Sequence, residues 1–189
     1  MGMTSGHAPD ETLHCGADSS GSRQYADPPA DLYDALQALA HDHGPAISFT
    51  VAPEPESVTF ARHFTASALE RWDLRPLTDD VGLVVTELVT NALRHSLPPR
   101  PAEPSGPIRL RLIRQAPYLL CGIQDAGTEV PRRREPDFIA ETGRGLHLVE
   151  SFSSMWGWVR CAGGKMVWAL FSLPPATDHR SPRGLTTFG

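Results

Sequence analysis

The stretch that decides the fold is residues 78–95, which read TDDVGLVVTELVTNALRH. Apolar side chains such as Val81, Val85 and Leu88 recur there at every third or fourth position, which predicts one amphipathic helix. Thr78 is suited to cap its start, and the two Asp residues that follow are favoured in a first turn by the helix dipole. We expect this helix to bury its apolar face against a sheet.

The polar face of this helix carries Asp80, Glu87, Asn91 and Arg94, which fall within about 60° of one another at about 100° per residue. A solvated helix face is the ordinary explanation of such a stripe. Asn is a poor helix former, however, and Asn91 stands in mid-helix one turn after Glu87. That placement favours a functional role.

Two further motifs follow along the chain. Asp125 ends an apolar strand-like run and is followed by Ala-Gly127, which is consistent either with a turn or with a carboxylate at the mouth of a pocket. Gly143-Arg144-Gly145 precedes a helical pattern, where glycines let backbone amides approach an anion closely. Each motif is weak evidence when taken alone.

The remaining periodicity predicts an α+β fold. Alternating and helical patterns indicate, in order, a strand at 46–51, a helix at 57–72, the helix quoted above, strands at 108–112 and 118–124, a helix at 146–152, and strands at 156–161 and 166–173. Tight turns between neighbouring strands predict a mixed, mostly antiparallel sheet. We therefore expect a two-layer sandwich with the helices on one face.

Charge and composition exclude several classes of function. The chain has 17 basic and 22 acidic residues, and Lys165 is its single Lys. A phosphate-binding P-loop needs a Gly-Lys-Ser/Thr ending, which Lys165-Met166 does not supply. The net charge of −5 argues against duplex DNA as a partner. The three Cys are expected to be idle thiols in a reducing cytoplasm.

The charge is uneven, and this predicts three regions. Residues 1–45 carry seven acids against one Arg and are expected to be mostly disordered, with a short amphipathic helix at 31–41. Residues 46–173 have 14 charges of each sign and form the predicted folded domain. Residues 174–189 are expected to be a flexible tail. No signal peptide or membrane span is predicted.

The three motifs, in this order and spacing, resemble a known family. Residues 87–95 are similar to the N box of the GHKL (Bergerat-fold) ATPases, residues 124–127 to their first glycine box, and residues 143–149 to their second. The hairpin at 156–168 looks like that of one branch, the anti-sigma-factor serine/threonine kinases and similar ATP-binding regulators of high-GC Gram-positive bacteria. The resemblance spans about residues 46–173 and implies the histidine-kinase-like ATPase fold.

The resemblance implies roles for particular residues. It makes Asn91 the ligand of Mg²⁺ and Glu87 the catalytic base. It makes Asp125 the reader of the adenine amino group, with Gly127 giving room to the ring. The second glycine box, which would meet the phosphates of ATP, comprises Gly143, Arg144, Gly145 and Leu146.

Two positions depart from the family pattern. Glu129 stands where relatives continue the first glycine box to a second Gly. Met166 is taken as the counterpart of a Thr that, in relatives, helps the adenine-reading Asp. A lid segment between the glycine boxes includes Arg132-Arg133-Arg134, for which a solvated loop and a phosphate-screening role both remain open.

Two functions are therefore expected from the sequence. The first is a cytoplasmic serine/threonine kinase that uses ATP and Mg²⁺, phosphorylates a STAS-type anti-sigma antagonist and sequesters a sigma factor. The second is a nucleotide-gated partner-switching module with little or no catalysis. Homodimer formation is left open, and no nucleic acid or membrane partner is expected.

Overall fold

The fold is described from a computed structural model. It describes residues 13–15, 34–36, 38–39, 46–95, 107–127, 129, 131, 145–161 and 164–174. The strands are β1 (Leu13–Cys15), β2 (Ile47–Val51), β3 (Ile108–Gln115), β4 (Tyr118–Asp125), β5 (Met155–Cys161) and β6 (Gly164–Ser172). The helices are α1 (helical residues 34–36 and 38–39), α2 (Ser57–Arg71), α3 (Thr78–His95) and α4 (Gly145–Phe152), with a 3-10 turn at Arg75–Leu77.

The six described strands form one sheet in the order β1-β5-β6-β4-β3-β2. Every neighbouring pair is antiparallel. The centre of the sheet is formed by β3, β4 and β6, in which Leu112 pairs with Cys121 and Cys121 with Ala169. This arrangement places the end of β4, Asp125, opposite Lys165 at the start of β6.

One face of the sheet is covered by α2, α3 and α4. The apolar side of α3 supplies Val81, Val85, Leu88 and Val89, all of which are buried in the main core. Because that side packs against the sheet, the opposite side of α3 is turned away from it. The polar residues of α3 are therefore kept out of the core.

The other face of the sheet is covered by α1. Its buried residues Ala35, Leu36 and Leu39 share a second core with side chains of β3 to β6 that include Met166 and Trp168. A β-carbon at Gly122 of β4 would lie 2.5 Å from Leu39 Cδ2 and 2.7 Å from Met166 Sδ, so a glycine is needed for α1 to approach the sheet. The described residues of the segment predicted as a helix, 34–36 and 38–39, are thus helical and packed on the sheet.

The structure confirms the expected α+β class with its antiparallel sheet and adds α1 as a partial third layer. The helix bounds of α3 agree with the prediction at both ends. Most of the predicted disordered segment 1–45 and all of the tail after residue 174 lie outside the described residues, so the three-region division stays a prediction. Within the described part of the chain, none of the helices has the length and apolar character needed to cross a membrane.

Candidate functional site

The polar face of α3 and the start of α4 meet at one place. Glu87 and Asn91 are both half-buried, and they lie one turn apart on α3. A β-carbon placed on Gly145, the first residue of α4, would be 2.8 Å from Glu87 Oε2 and 3.3 Å from Asn91 Nδ2. The glycine therefore lets the start of α4 approach this carboxylate and this carboxamide closely.

The environment of Glu87 changes its acidity. Partial burial raises the pKa of the Glu87 carboxyl above its ordinary value, and the positive charge of Arg94 opposes that rise. A carboxyl of raised pKa holds a proton more readily than an exposed glutamate does. This is the property that a general base needs in order to take up a proton during a reaction.

A second polar group lies where β4 ends. Lys165 Nζ donates a hydrogen bond to Asp125 Oδ1 at 2.7 Å and another to the carbonyl oxygen of Gly127 at 3.2 Å. The backbone amide of Gly127 donates to the same Asp125 oxygen at 2.7 Å. The Asp125 and Lys165 side chains are only 3% and 8% exposed, so this is a buried ion pair.

The hairpin from β5 to β6 explains how Lys165 reaches Asp125. Gly164 has a φ of +156°, a backbone conformation that favours glycine, and a β-carbon there would collide with the carbonyl oxygen of Asp125. Strand residues alternate between the two faces of a sheet. Lys165 therefore lies on the Asp125 side, and Met166 on the side of α1.

The assignment of Met166 as the residue beside the adenine-reading Asp is thus wrong. Met166 is fully buried in the second core, and Lys165 is the residue that contacts Asp125. A pattern within one segment does not indicate this contact, because it depends on the register of β6 against β4. The alignment of the family pattern with this sequence had placed the residue that contacts Asp125 one position too far along β6.

Helix α3 connects the two polar groups. A β-carbon at Gly127 would lie 2.9 Å from the carbonyl oxygen of His95, the last residue of α3, and 2.7 Å from Lys165 Nζ. The absence of a side chain at Gly127 thus allows the end of α3 and the ion pair to approach each other. Glu129 is exposed, and its carboxylate lies 3.9 Å from His95 Nδ1.

The remaining predicted site residues are accounted for as follows. Leu146, expected from the resemblance to lie beside the phosphates, is half-buried and packs against the main core. Gly143, Arg144 and the three arginines at 132–134 lie outside the described residues. The described part of the chain therefore brings together Glu87, Asn91 and Gly145 in one group and Asp125, Gly127 and Lys165 in another.

Comparison with known proteins identifies the family. Residues 51–171 match the histidine kinase-like ATPase domain. The chain belongs to the histidine kinase-like ATPase family. The match begins at the last residue of β2 and ends one residue before the end of β6, so it includes both polar groups and strands β3, β4 and β5 in full. The resemblance stated from the sequence is thereby confirmed.

A solved structure shows the same fold. It contains the RsbU and RsbW domains of Rv1364c from Mycobacterium tuberculosis, and it matches with a TM-score of 0.50 and 17% sequence identity. The match covers 70% of this ATPase-family chain and 34% of that chain, so the present protein spans about a third of the length of the matched one. None of the curated proteins matches. At this identity the likeness concerns the fold alone.

Proposed function

We propose that this domain is a serine/threonine protein kinase of the anti-sigma-factor type that uses ATP and Mg²⁺. In this proposal it phosphorylates a small STAS-type antagonist and sequesters a sigma factor in the cytoplasm. The observation that carries the proposal is the half-buried Glu87 carboxylate, one helical turn from Asn91 and directly beside Gly145 at the start of α4.

Glu87 acts as the general base. The hydroxyl oxygen of the antagonist's Ser or Thr attacks the γ-phosphorus of ATP, the bond from that phosphorus to the β,γ-bridging oxygen breaks, and ADP leaves. The hydroxyl proton passes to a Glu87 carboxylate oxygen. The raised pKa of Glu87 suits this transfer because a carboxylate whose pKa is raised by burial is a stronger base than an exposed one.

The residues at this place suit a magnesium–nucleotide complex. A carboxamide and a carboxylate oxygen are hard ligands of the kind that Mg²⁺ accepts, and a side chain at Gly145 would fill the place beside them. Asn91 would hold the ion, and Gly143, Arg144, Gly145 and Leu146 would border the phosphates near the start of α4. Bound Mg²⁺ supplies charge neutralisation at the phosphate oxygens. Asp125 and Gly127 would hold the adenine.

The test is a phosphotransfer assay with γ-labelled ATP and the cognate antagonist, found by pull-down from the native cytosol. The wild-type protein is expected to label the antagonist, and Glu87→Ala to lower the rate by about 10²- to 10⁴-fold, the usual contribution of a general base. An equally active Glu87→Ala protein would refute the assigned role.

The matched control is Glu54→Ala. Glu54 is an exposed glutamate in the segment before α2, and its removal leaves α3 and α4 untouched. It is expected to leave the labelling rate and the affinity for ATP unchanged. Binding of ATP by Glu87→Ala, measured by calorimetry, separates loss of chemistry from loss of the nucleotide.

A second candidate is a nucleotide-gated partner-switching module with little or no catalysis. It is favoured by Glu129, an exposed carboxylate where the family's first glycine box continues with Gly. Such a side chain restricts the backbone and adds negative charge near the phosphates. Calorimetric binding of ATP without phosphotransfer, in the presence of the partner, would select this candidate over the kinase.

A further inference from the structure

The side chains of Asp125 and Lys165 form a buried ion pair inside the candidate site. A cation and an anion lie side by side at the place where the proposed function puts the base of the nucleotide. Lys165 is also the single Lys of the chain. Burying an ammonium group costs free energy unless hydrogen-bond acceptors compensate it. The burial of Lys165 therefore needs a structural or functional reason.

The hydrogen bonds hold both side chains in one orientation. Asp125 Oδ1 accepts from Lys165 Nζ and from the Gly127 amide, whereas Oδ2 accepts no hydrogen bond from any residue that the structure describes. The ammonium group of Lys165 has three N–H donors, of which two are directed to Asp125 Oδ1 and the Gly127 carbonyl. The pair thus keeps one carboxylate acceptor and one ammonium donor for a ligand.

The geometry points to Lys165 as a residue that reads the nucleobase, by donating a hydrogen bond to the ring nitrogen N1 of adenine while Asp125 Oδ2 accepts from the adjacent amino group. This inference rests on the proposed function, since it assumes that ATP is the ligand. The Lys165 ammonium group would be a charged hydrogen-bond donor to the adenine ring. Lys165 is then a specificity-determining residue and has no part in phosphoryl transfer.

The choice of N1 follows from the shape of adenine. The amino group is flanked by N1 on one side and N7 on the other, and N7 belongs to the same ring as the nitrogen that carries the ribose. The ribose and phosphates must extend towards Glu87 and Gly145. The edge that faces Asp125 is therefore the one farthest from the ribose, which presents the amino group and N1.

Guanine in the same orientation would meet the wrong partners. It places a carbonyl oxygen where adenine has its amino group, and this oxygen would face the Asp125 carboxylate. Its N1 carries a hydrogen, which would face the Lys165 ammonium. A donor next to an acceptor in this order therefore selects adenine over guanine.

The decisive experiment uses the wild-type protein and compares by calorimetry the affinities for ATP, 1-deaza-ATP and 7-deaza-ATP, each with Mg²⁺. Replacing N1 by C–H leaves the ammonium donor without an acceptor, so 1-deaza-ATP is expected to bind about 10- to 100-fold more weakly than ATP. 7-deaza-ATP keeps N1 and is expected to bind like ATP. Equal binding of ATP and 1-deaza-ATP overturns the inference and leaves the proposed function intact.

A variant pair provides the second arm. Lys165→Met is expected to bind ATP about tenfold or more weakly and to discriminate little between ATP and 1-deaza-ATP. The matched control is Arg160→Met, which removes an exposed cation directly opposite Lys165 on β5 and is expected to keep both affinities. Thermal denaturation of each variant checks folding, and the analogue comparison in the wild-type protein does not depend on it.

The remaining outcomes are also decisive. Tighter binding of ATP by Lys165→Met would mean that the ammonium group fills the base site, and the inference would be wrong. Failure of the wild-type protein to bind any of the three nucleotides would refute the proposed function and this inference together.

Discussion

At the scale of single residues, the site depends on how burial alters Glu87 and on where side chains are missing. Desolvation raises the pKa of Glu87, whereas Arg94, two turns further along α3, lowers it. Gly145 and Gly127 leave the space that the neighbouring polar groups need. Glu87 and Gly145 each lead to a testable prediction, the first about stability and the second about activity.

Replacing Glu87 by Gln should change the pH dependence of stability. The pKa of Glu87 is raised in the folded protein, so its protonated form favours folding below its ordinary pKa of 4.5, and this contribution is lost as the pH rises through the folded pKa. Glu87→Gln is therefore expected to be more stable than the wild-type protein at pH 8 and equal to it near pH 4. Urea denaturation at the two pH values measures this. A less stable variant at pH 8 would mean that the carboxylate makes stabilising contacts that outweigh its desolvation.

Adding a methyl group at Gly145 should impair the site without unfolding the protein. The new β-carbon would lie 2.8 Å from Glu87 Oε2, so the carboxylate must move, and a displacement of this size lowers phosphotransfer by about 100-fold. Gly82→Ala is the matched control, because a β-carbon there meets no atom within 4 Å. That control should raise the free energy of unfolding by about 0.5–1 kcal/mol and leave the rate unchanged. Equal phosphotransfer rates for both variants would show that the position of the Glu87 carboxylate beside Gly145 does not matter for the reaction.

At the scale of elements, specific contacts hold α1 on the sheet. Gly122 leaves space for Leu39, and the guanidinium of Arg111, which is 2% exposed, donates a hydrogen bond to the carbonyl oxygen of Leu39 at 2.5 Å. A helix end leaves backbone carbonyls without intrahelical partners, and Arg111 satisfies one of them. Helix α1 is too short to be stable alone, so it depends on these contacts.

Truncating Leu39 should therefore destabilise the protein. Leu39 is fully buried, and Leu39→Ala is expected to lower the free energy of unfolding by about 2–5 kcal/mol, as measured by urea denaturation. Phe60→Ala is the control, since Phe60 is a larger apolar residue that is 57% exposed on α2, and a change within about 0.5 kcal/mol is expected. Similar values for the two variants would contradict the packing of α1.

At the scale of the whole molecule, the sheet separates two hydrophobic cores. The main core lies under α2, α3 and α4, and the second lies under α1 and contains the fully buried Trp168. Lys165 and Met166 are consecutive on β6, and they face the candidate site and the second core respectively. Loss of the N-terminal region is therefore expected to affect the sheet as a whole.

Removal of residues 1–45 should expose the second core. The melting temperature is expected to fall by about 5 °C or more, since the loss of Leu39 alone removes several kcal/mol. The emission of Trp168 should shift to longer wavelength as its ring meets water. Removal of residues 175–189, predicted as a flexible tail, is the control and should change neither quantity. An unchanged melting temperature after the first deletion would contradict the second core.

Much of this fold could be predicted from local patterns. The period of the apolar residues in α3 set its length and its buried side, and the turn at Pro117 between two strand-like runs predicted the pairing of β3 with β4. The N box and the glycine boxes indicated the family because their spacing follows from contacts with a nucleotide. What local patterns did not provide was the partner of Asp125, because a cross-strand contact depends on the register of β4 and β6, and the family pattern had been aligned one residue too far along β6.

The sequence by itself determined the helices and the strands β2 to β6, the α+β class and the residues on the polar face of α3, since these follow from periodicity within one segment. It did not predict β1, which lies in the segment expected to be mostly disordered. Only the tertiary structure decided that Lys165 pairs with Asp125 and that α1 covers the far side of the sheet. Both depend on groups that are 40 or more residues apart, as Lys165 and Asp125 are, or Arg111 and Leu39. Such contacts form when burial brings distant segments together, and no local pattern encodes them.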